Sequence, residues 1–183
     1  MSSNSSWYAV TVKPRHEKSA ALGLASQGFE PLSPTYRAKR RWSDRIKDVD
    51  FPLFAGYVFC RFSSEERVHV LMTAGVTSIV GFGRTPAAVD EGEIDSLRTI
   101  ASSGLPARPW PYLRAGQRVR VEEGCLQGLT GTLLRERDLW RVVVNVELLQ
   151  RSVAVEVDRS AIRAVPERIA ATRAAAVETV CRY

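Results

Sequence analysis

Between Ser102 and Pro111 the chain reads Ser-Ser-Gly-Leu-Pro-Ala-Arg-Pro-Trp-Pro, and this segment constrains the fold more than any other. Three prolines in six residues, with Ser and Gly before them, make a stiff, extended linker over residues 102–112. The hydrophobic period changes across it. After the linker every periodic run is two-fold: Val119 and Val121 alternate with Arg118 and Arg120. The runs Val142–Val146 and Val153–Val157 repeat the pattern. Short strands separated by Gly-containing turns predict a small β-barrel over residues 113–165. The Ala-rich tail, residues 166–183, suits a helix or a frayed end.

Before the linker the periods are mixed. Trp7–Lys13 alternates and reads as a strand. Pro14 sits where a helix can begin, residues 15–27 follow as that helix, and Gly28 is a natural stop. A strand from Phe29 to about Arg37 carries Pro31 and Pro34, which puts it at a sheet edge. The basic stretch 37–47 reads as an exposed hairpin tip or loop, and Phe54–Phe62 as a strand apolar on both faces. A short helix over 64–74 bears Val68, Leu71 and Met72; strand 77–82 follows, then the turn Gly83–Pro86. Asp90 with Glu93 predicts a capping box for a helix whose stripe is Ile94, Leu97, Ile100 and Ala101. This order predicts an α+β sandwich of ferredoxin-like type over residues 6–101, with helices covering one sheet face.

Charge is uneven. The chain of 183 residues carries 26 Lys+Arg and 20 Asp+Glu, a formal +6. Residues 13–47 hold nine basic and three acidic residues, so the whole excess lies there. Such a cluster suits a polyanion such as nucleic acid or a solvated loop. No apolar run approaches the ~20 residues of a membrane-spanning helix, and Met1–Ser6 lacks the basic and apolar regions of a secretory signal. Cys60, Cys125 and Cys181 are far apart, without a C-x-x-C pair, so neither a disulfide framework nor a metal site is expected, and a reducing cytoplasm is.

Catalytic constellations are missing. His16 and His69 lie on different predicted elements, no G-x-S-x-G elbow presents a nucleophile, and no G-x-x-x-x-G-K-[ST] loop cradles phosphate. Gly124, Gly128 and Gly131 have the wrong spacing for nucleotide binding, and a strand follows them. A non-enzymatic protein without cofactors is the expectation.

Read as turns, those glycines carry more. The run Gly116-x-x-Val119-Arg120-Val121-x-x-Gly124-x-x-x-Gly128-x-x-Gly131 resembles the KOW motif, shared by NusG-type transcription factors and some ribosomal proteins. Trp7-Tyr8-Ala9-Val10, Phe54-Ala55-Gly56-Tyr57-Val58-Phe59, and Gly75-Val76 through Val80-Gly81-Phe82-Gly83 resemble the NusG N-terminal (NGN) domain in the family order. Ala55 replaces the family's usual proline. The resemblance spans about residues 6–165 and implies an NGN domain joined to an SH3-like KOW β-barrel, in a monomeric transcription elongation factor.

The resemblance also implies sites. Tyr8, Phe54, Tyr57, Phe59 and Phe82, with Leu97 at the edge, match the family's aromatic surface for the β′ clamp helices of RNA polymerase. Strand alternation puts Tyr57 and Phe59 on one face and Val58, Cys60 and Phe62 on the other; Tyr57 and Phe59 are expected exposed, Phe62 core, and Phe54 shares the core parity. His69, with Arg67 and Val68, lies near the contact to the β-subunit gate loop. Lys13, Arg15, His16 and Lys18 match the helix facing upstream and non-template DNA; Arg37, Lys39, Arg40 and Arg41 extend that track, with Trp42 available to stack or to stabilise the hairpin. Leu126, Leu148, Leu149 and Arg151 match the loops contacting Rho or the ribosomal protein NusE. Pro52-Leu53-Phe54-Ala55 leans towards an operon-specific, RfaH-like paralogue. The valine-rich half predicts a constitutive β-barrel rather than a stored helical hairpin. An RNA-binding or ribosome-associated KOW protein is the alternative.

Overall fold

The computed structural model describes residues 5–41, 46–83, 85–112, 116–136 and 139–165. The first half contains strand β1 (Ser6–Val12), helix α1 (Glu17–Ser26), β2 (Glu30–Leu32), β3 (Thr35–Arg41), β4 (Ile46–Pro52) and β5 (Tyr57–Phe62). A 3-10 turn then leads into α2 (Arg67–Met72), followed by β6 (Val76–Ile79), β7 (Gly81–Phe82), β8 (Thr85–Pro86), β9 (Ala88–Val89) and α3 (Glu91–Ser102). The second half is all strand: β10 (Ala107–Pro111), β11 (Gln117–Val121), β12 (Thr130–Glu136), β13 (Leu139–Val146), β14 (Arg151–Val157) and β15 (Ile162–Ala164). This is the mixed α+β architecture the sequence predicts, with antiparallel strands throughout.

The central sheet runs β2-β5-β1-β6, with β9 also on β1. The proline-bearing β2 lies at its edge, where a missing donor is tolerated. Alternation along β1 and β5 makes both faces apolar. Val10, Val12, Val58, Cys60 and Phe62 pack with Ala20 and Leu24 of α1 and Val70 of α2. Trp7, Ala9 and Phe59 pack on the opposite side with Ile94, Leu97 and Ile100 of α3. Helices therefore cover both faces, not one. Asp90 caps α3 by accepting from the backbone N–H of Gly92 (2.9 Å) and Glu93 (3.3 Å). Arg61, Glu30, Arg98, Asp95 and Glu91 form a half-exposed ion network at the β2 edge.

Two predicted helical stripes are narrower than expected. Only Val70 of α2 is buried, whereas Val68 and Met72 are 59% and 78% exposed and Leu71 is also exposed; the helix is too short to turn more than one residue inward. Ala101 of α3 faces solvent as well. Past Pro34 the chain leaves the sheet, and β3 and β4 pair only with each other as a seven-residue ribbon. The basic stretch is thus largely strand; Trp42 and Arg45 lie outside the described residues, as does the predicted tail.

The second sheet runs β10-β14-β13-β12-β11-β15, and its inner face buries Val119, Val121, Val142, Val144, Val146, Val153 and Val155. The segment read as linker is extended, but Ala107–Pro111 is a strand on β14. It is an edge strand, which is where Pro109 and Pro111 fit. Gly124 and Gly128 have the positive φ of tight turns (83° and 88°). Gly131 instead sits within β12, where a Cβ would lie 2.6 Å from both Val142 Cγ1 and the Val143 carbonyl oxygen. Gly131→Ala should therefore cost about 1–3 kcal/mol through overpacking, seen as a lowered thermal-unfolding midpoint, while Gln127→Ala on the exposed turn should leave it unchanged.

Candidate functional site

The loop between β4 and β5, Leu53-Phe54-Ala55-Gly56, organises the site. Gly56 takes a φ of 85°, which only glycine adopts without strain, and Tyr57 N–H donates to the Phe54 carbonyl (3.0 Å). Three elements fix the loop. Leu53 N–H donates to the Pro34 carbonyl, Val12 N–H donates to the Gly56 carbonyl, both at 2.9 Å, and Gly56 N–H donates to Glu17 Oε1 at 2.8 Å. Glu17 is an acid buried at the start of α1, amid a basic segment. Such an acid, alone among cations, was the sequence signal for this role, and it was missed.

The Ala55 carbonyl, on the same peptide as the Gly56 N–H, is used by the second unit. Arg151, at the start of β14, donates from Nη1 to that carbonyl (3.1 Å) and lies 4.9 Å above the Tyr57 ring centroid. A guanidinium over a tyrosine is worth roughly 0.5–2 kcal/mol depending on desolvation. Glu93 of α3 accepts a hydrogen bond from Glu147 N–H, 3.0 Å away in the 3-10 turn after β13. Glu93 is the third residue of the expected capping box, but its side chain reaches across to the barrel instead of back to Asp90.

Around these polar contacts the apolar face of the first sheet and the core of the second form one cluster. Phe54 packs edge-to-face on Phe59 with centroids 5.2 Å apart. Both are fully buried, and Tyr57, Leu148 and Leu149 pack partly buried against the same cluster. Beyond it, between α3 and the outer face of β11–β13, lies a cleft of about 690 Å³.

This arrangement revises several predicted sites. Tyr57 and Phe59 do share a face, but Phe59 is fully buried rather than exposed, because α3 and the barrel cover that face. Phe54 joins Phe59 instead of Phe62, since it lies in the loop, where strand parity does not apply. Leu97 is core. Tyr8 stands on the opposite face, its ring 4.5 Å from Phe62. Phe82 is 79% exposed on the β7–β8 hairpin, so the matched aromatics do not form one patch. Leu126 is buried in the barrel core and unavailable to a partner. His69 is exposed on α2.

The basic residues lie elsewhere on the first unit. Lys13, Arg15, His16 and Lys18 are all exposed around the first turn of α1. Arg37 and Lys39 are exposed on one face of the β3–β4 ribbon, and Arg40 and Arg41 complete strand β3. Two of these cations face acids: Arg37 lies 3.3 Å from Asp50, and Lys39 stands opposite Asp48 in register. Among the described residues, no His, Cys, Asp or Glu cluster could hold a metal ion, and no helix is long and apolar enough to cross a membrane.

The family model described as transcription termination factor nusG matches residues 5–98, and the chain belongs to the NusG family. It is similar to the solved structure "Domain interaction in Thermotoga maritima NusG", at 19% identity over 87% of this chain and 96% of that one, with a TM-score of 0.49. It is also similar to the MjSpt4:Spt5 complex in conformations A and B, at 15% and 16% identity over 87% of this chain and 97% and 96% of those, both with a TM-score of 0.32. No curated protein matches it in sequence.

The Glu93–Glu147 contact has a pH signature. Burial pushes the Glu93 carboxyl above its ordinary 4.5, Glu147 and Asp90 add repulsion, and the hydrogen bond from Glu147 N–H opposes them. A carboxyl whose pKa rises on closure takes up a proton, so closure strengthens as pH falls through the raised value and weakens above it. Energy transfer between dyes on the two units should therefore increase as pH is lowered from 7 towards 4.5, and Glu93→Gln should flatten that response.

Proposed function

We propose that this chain is a non-enzymatic elongation and antitermination factor that docks on the β′ clamp helices and β gate loop of RNA polymerase. Bridging the two subunits across the DNA channel hinders clamp opening and so suppresses pausing, a mechanical effect needing no cofactor. The observation that carries this reading is that Tyr57, beneath Arg151 of the second unit, shares one apolar cluster with Phe54, Phe59, Leu97 and the barrel core, with Arg151 and Glu93 making polar contacts between the units. An apolar sheet face covered by a tethered unit is a docking face that a competing apolar partner can take over.

The same contact occupies Leu148, Leu149 and Arg151, the positions matched to Rho or NusE recruitment. Polymerase docking and partner recruitment would then become available together, once the barrel leaves the sheet. The cations at the start of α1 and on the ribbon would add a sequence-independent, salt-sensitive grip on upstream or non-template DNA. Gating of the docking face supports an operon-specific, RfaH-like role, and the all-strand second unit supports doing so without a change of fold.

Arg151→Ala removes both the hydrogen bond to Ala55 and the stack on Tyr57, and should tighten association with core polymerase several-fold in gel-filtration and anisotropy assays. Tyr57→Ala should weaken it about tenfold or more, as loss of an aromatic anchor of ~2 kcal/mol requires. Unchanged polymerase binding in both variants would sink the docking assignment.

A further inference from the structure

We propose that the cleft between α3 and the barrel binds a linear polyamine, a small cation with several protonated amines, which clasps the two units together. The cleft holds about 690 Å³, within the range of small-molecule sites. Asp90, Glu93 and Asp95 of α3 and Glu147 of the barrel line it, against the guanidinium of Arg118. Both units therefore contribute carboxylates to one space. Each acid on α3 has used only part of its capacity. Asp90 Oδ1 caps the helix, Glu93 Oε1 accepts from the Glu147 N–H, and Asp95 Oδ1 stands 3.6 Å from Arg98. Among the described residues, the second oxygen of each and the Glu147 carboxylate have no partner, and Arg118 pairs with none of them.

Closure gathers these like charges. Burial first, and then the charges of Glu147 and Asp90, hold the Glu93 carboxyl above its ordinary 4.5. Protonation is one relief of that repulsion; a bound cation is another, with the carboxylates still ionised. A second observation is independent of charge. Thr132 is only 7% exposed and lines the same cleft, yet its hydroxyl makes no hydrogen bond among the described residues. A Cβ on Gly116 would lie 2.3 Å from Thr132 Cγ2, so the methyl is turned to Gly116 and the hydroxyl is left to the cleft. A buried hydroxyl without a partner is costly, and an ammonium N–H in the cleft supplies one.

Spacing selects the kind of cation. Asp90 to Asp95 spans about 7.5 Å along a helix axis, and among the described residues no three His, Cys, Asp or Glu could share one metal ion. Carboxylates so spread suit amines separated by three or four methylenes, and the methylenes can lie against Val143 and Val144, which also line the cleft. The formal charge of +6 on the whole chain opposes unspecific uptake of a polycation, so the acidic cleft is where one is held. Because both units supply its partners, the ligand favours the closed arrangement over the open one. Binding does not depend on what the sheet face docks on, so the site goes beyond the polymerase reading.

The test titrates the full chain with spermidine by calorimetry at constant ionic strength, with Mg²⁺ as the compact cation, and needs no polymerase. Spermidine should bind at one site per chain and more tightly than Mg²⁺. Glu93→Gln/Glu147→Gln keeps an acceptor for the Glu147 N–H and should weaken spermidine binding at least tenfold. Thr132→Val keeps the side chain's shape and should weaken it several-fold without lowering the thermal-unfolding midpoint. Glu65→Gln/Glu123→Gln removes two exposed acids that do not line the cleft and should bind as the wild type does. Energy transfer between dyes on the two units should rise on adding spermidine to the wild type and stay flat in the Glu93/Glu147 variant. Wild-type affinity in that variant, an equal loss in the Glu65/Glu123 variant, or Mg²⁺ bound as tightly as spermidine would overturn the assignment.

Discussion

Burial of one apolar sheet face organises the molecule. The side of β1 and β5 carrying Trp7, Ala9 and Phe59 forms a single continuous cluster with α3 and the valine-lined barrel. Hydrophobic burial is non-directional, so it does not by itself set how the two units sit. Register comes from two directional contacts at the rim of the cluster, Arg151 on the Ala55 carbonyl and Glu93 on the Glu147 N–H. The Ala55 contact in turn depends on Glu17, which holds Gly56 and therefore the peptide preceding it. A buried acid in α1 thus sets where the barrel can grip.

Local chemistry made much of the fold legible in sequence. Prolines put β2 at an edge, Asp90 marked the start of α3, and valine alternation marked the barrel. The two-fold pattern of Tyr57–Phe62 sorted its side chains correctly into two faces. Alternation is symmetric, however, and says nothing of what covers each face; Phe59 was misplaced for that reason alone. Phe54 and Glu93 failed differently. Each fits a local pattern, strand parity in one case and a capping box in the other, but a tertiary contact claims the side chain. Leu126 reads as a loop tip because flanking glycines dominate its neighbourhood, yet the turn folds it back into the barrel core.

Charge shows the same limit at another scale. Composition located the net excess in residues 13–47, and Lys13, Arg15 and Lys18 at α1 and Arg37 and Lys39 on the ribbon are exposed. Part of the ribbon's charge is spent within it, with Asp48 and Asp50 opposite Lys39 and Arg37. The barrel's arginines, nearly balanced in the sum, become a local concentration only when antiparallel pairing brings Arg120 and Arg163 face to face. Net charge by segment and charge by surface are different quantities, and register converts one into the other.

The strand made by Ala107–Pro111 has a mechanical consequence. Because β10 belongs to the barrel, the free tether after α3 is only residues 103–106. Four residues reach at most about 14 Å. A unit on so short a leash remains near its binding face at an effective concentration on the order of millimolar. Separation is then a swing about a hinge and not an escape, and the barrel returns the moment a competitor lets go. A competitor therefore has to hold the sheet face for as long as its effect is to last, which makes the duration of the open state a property of the partner's residence time.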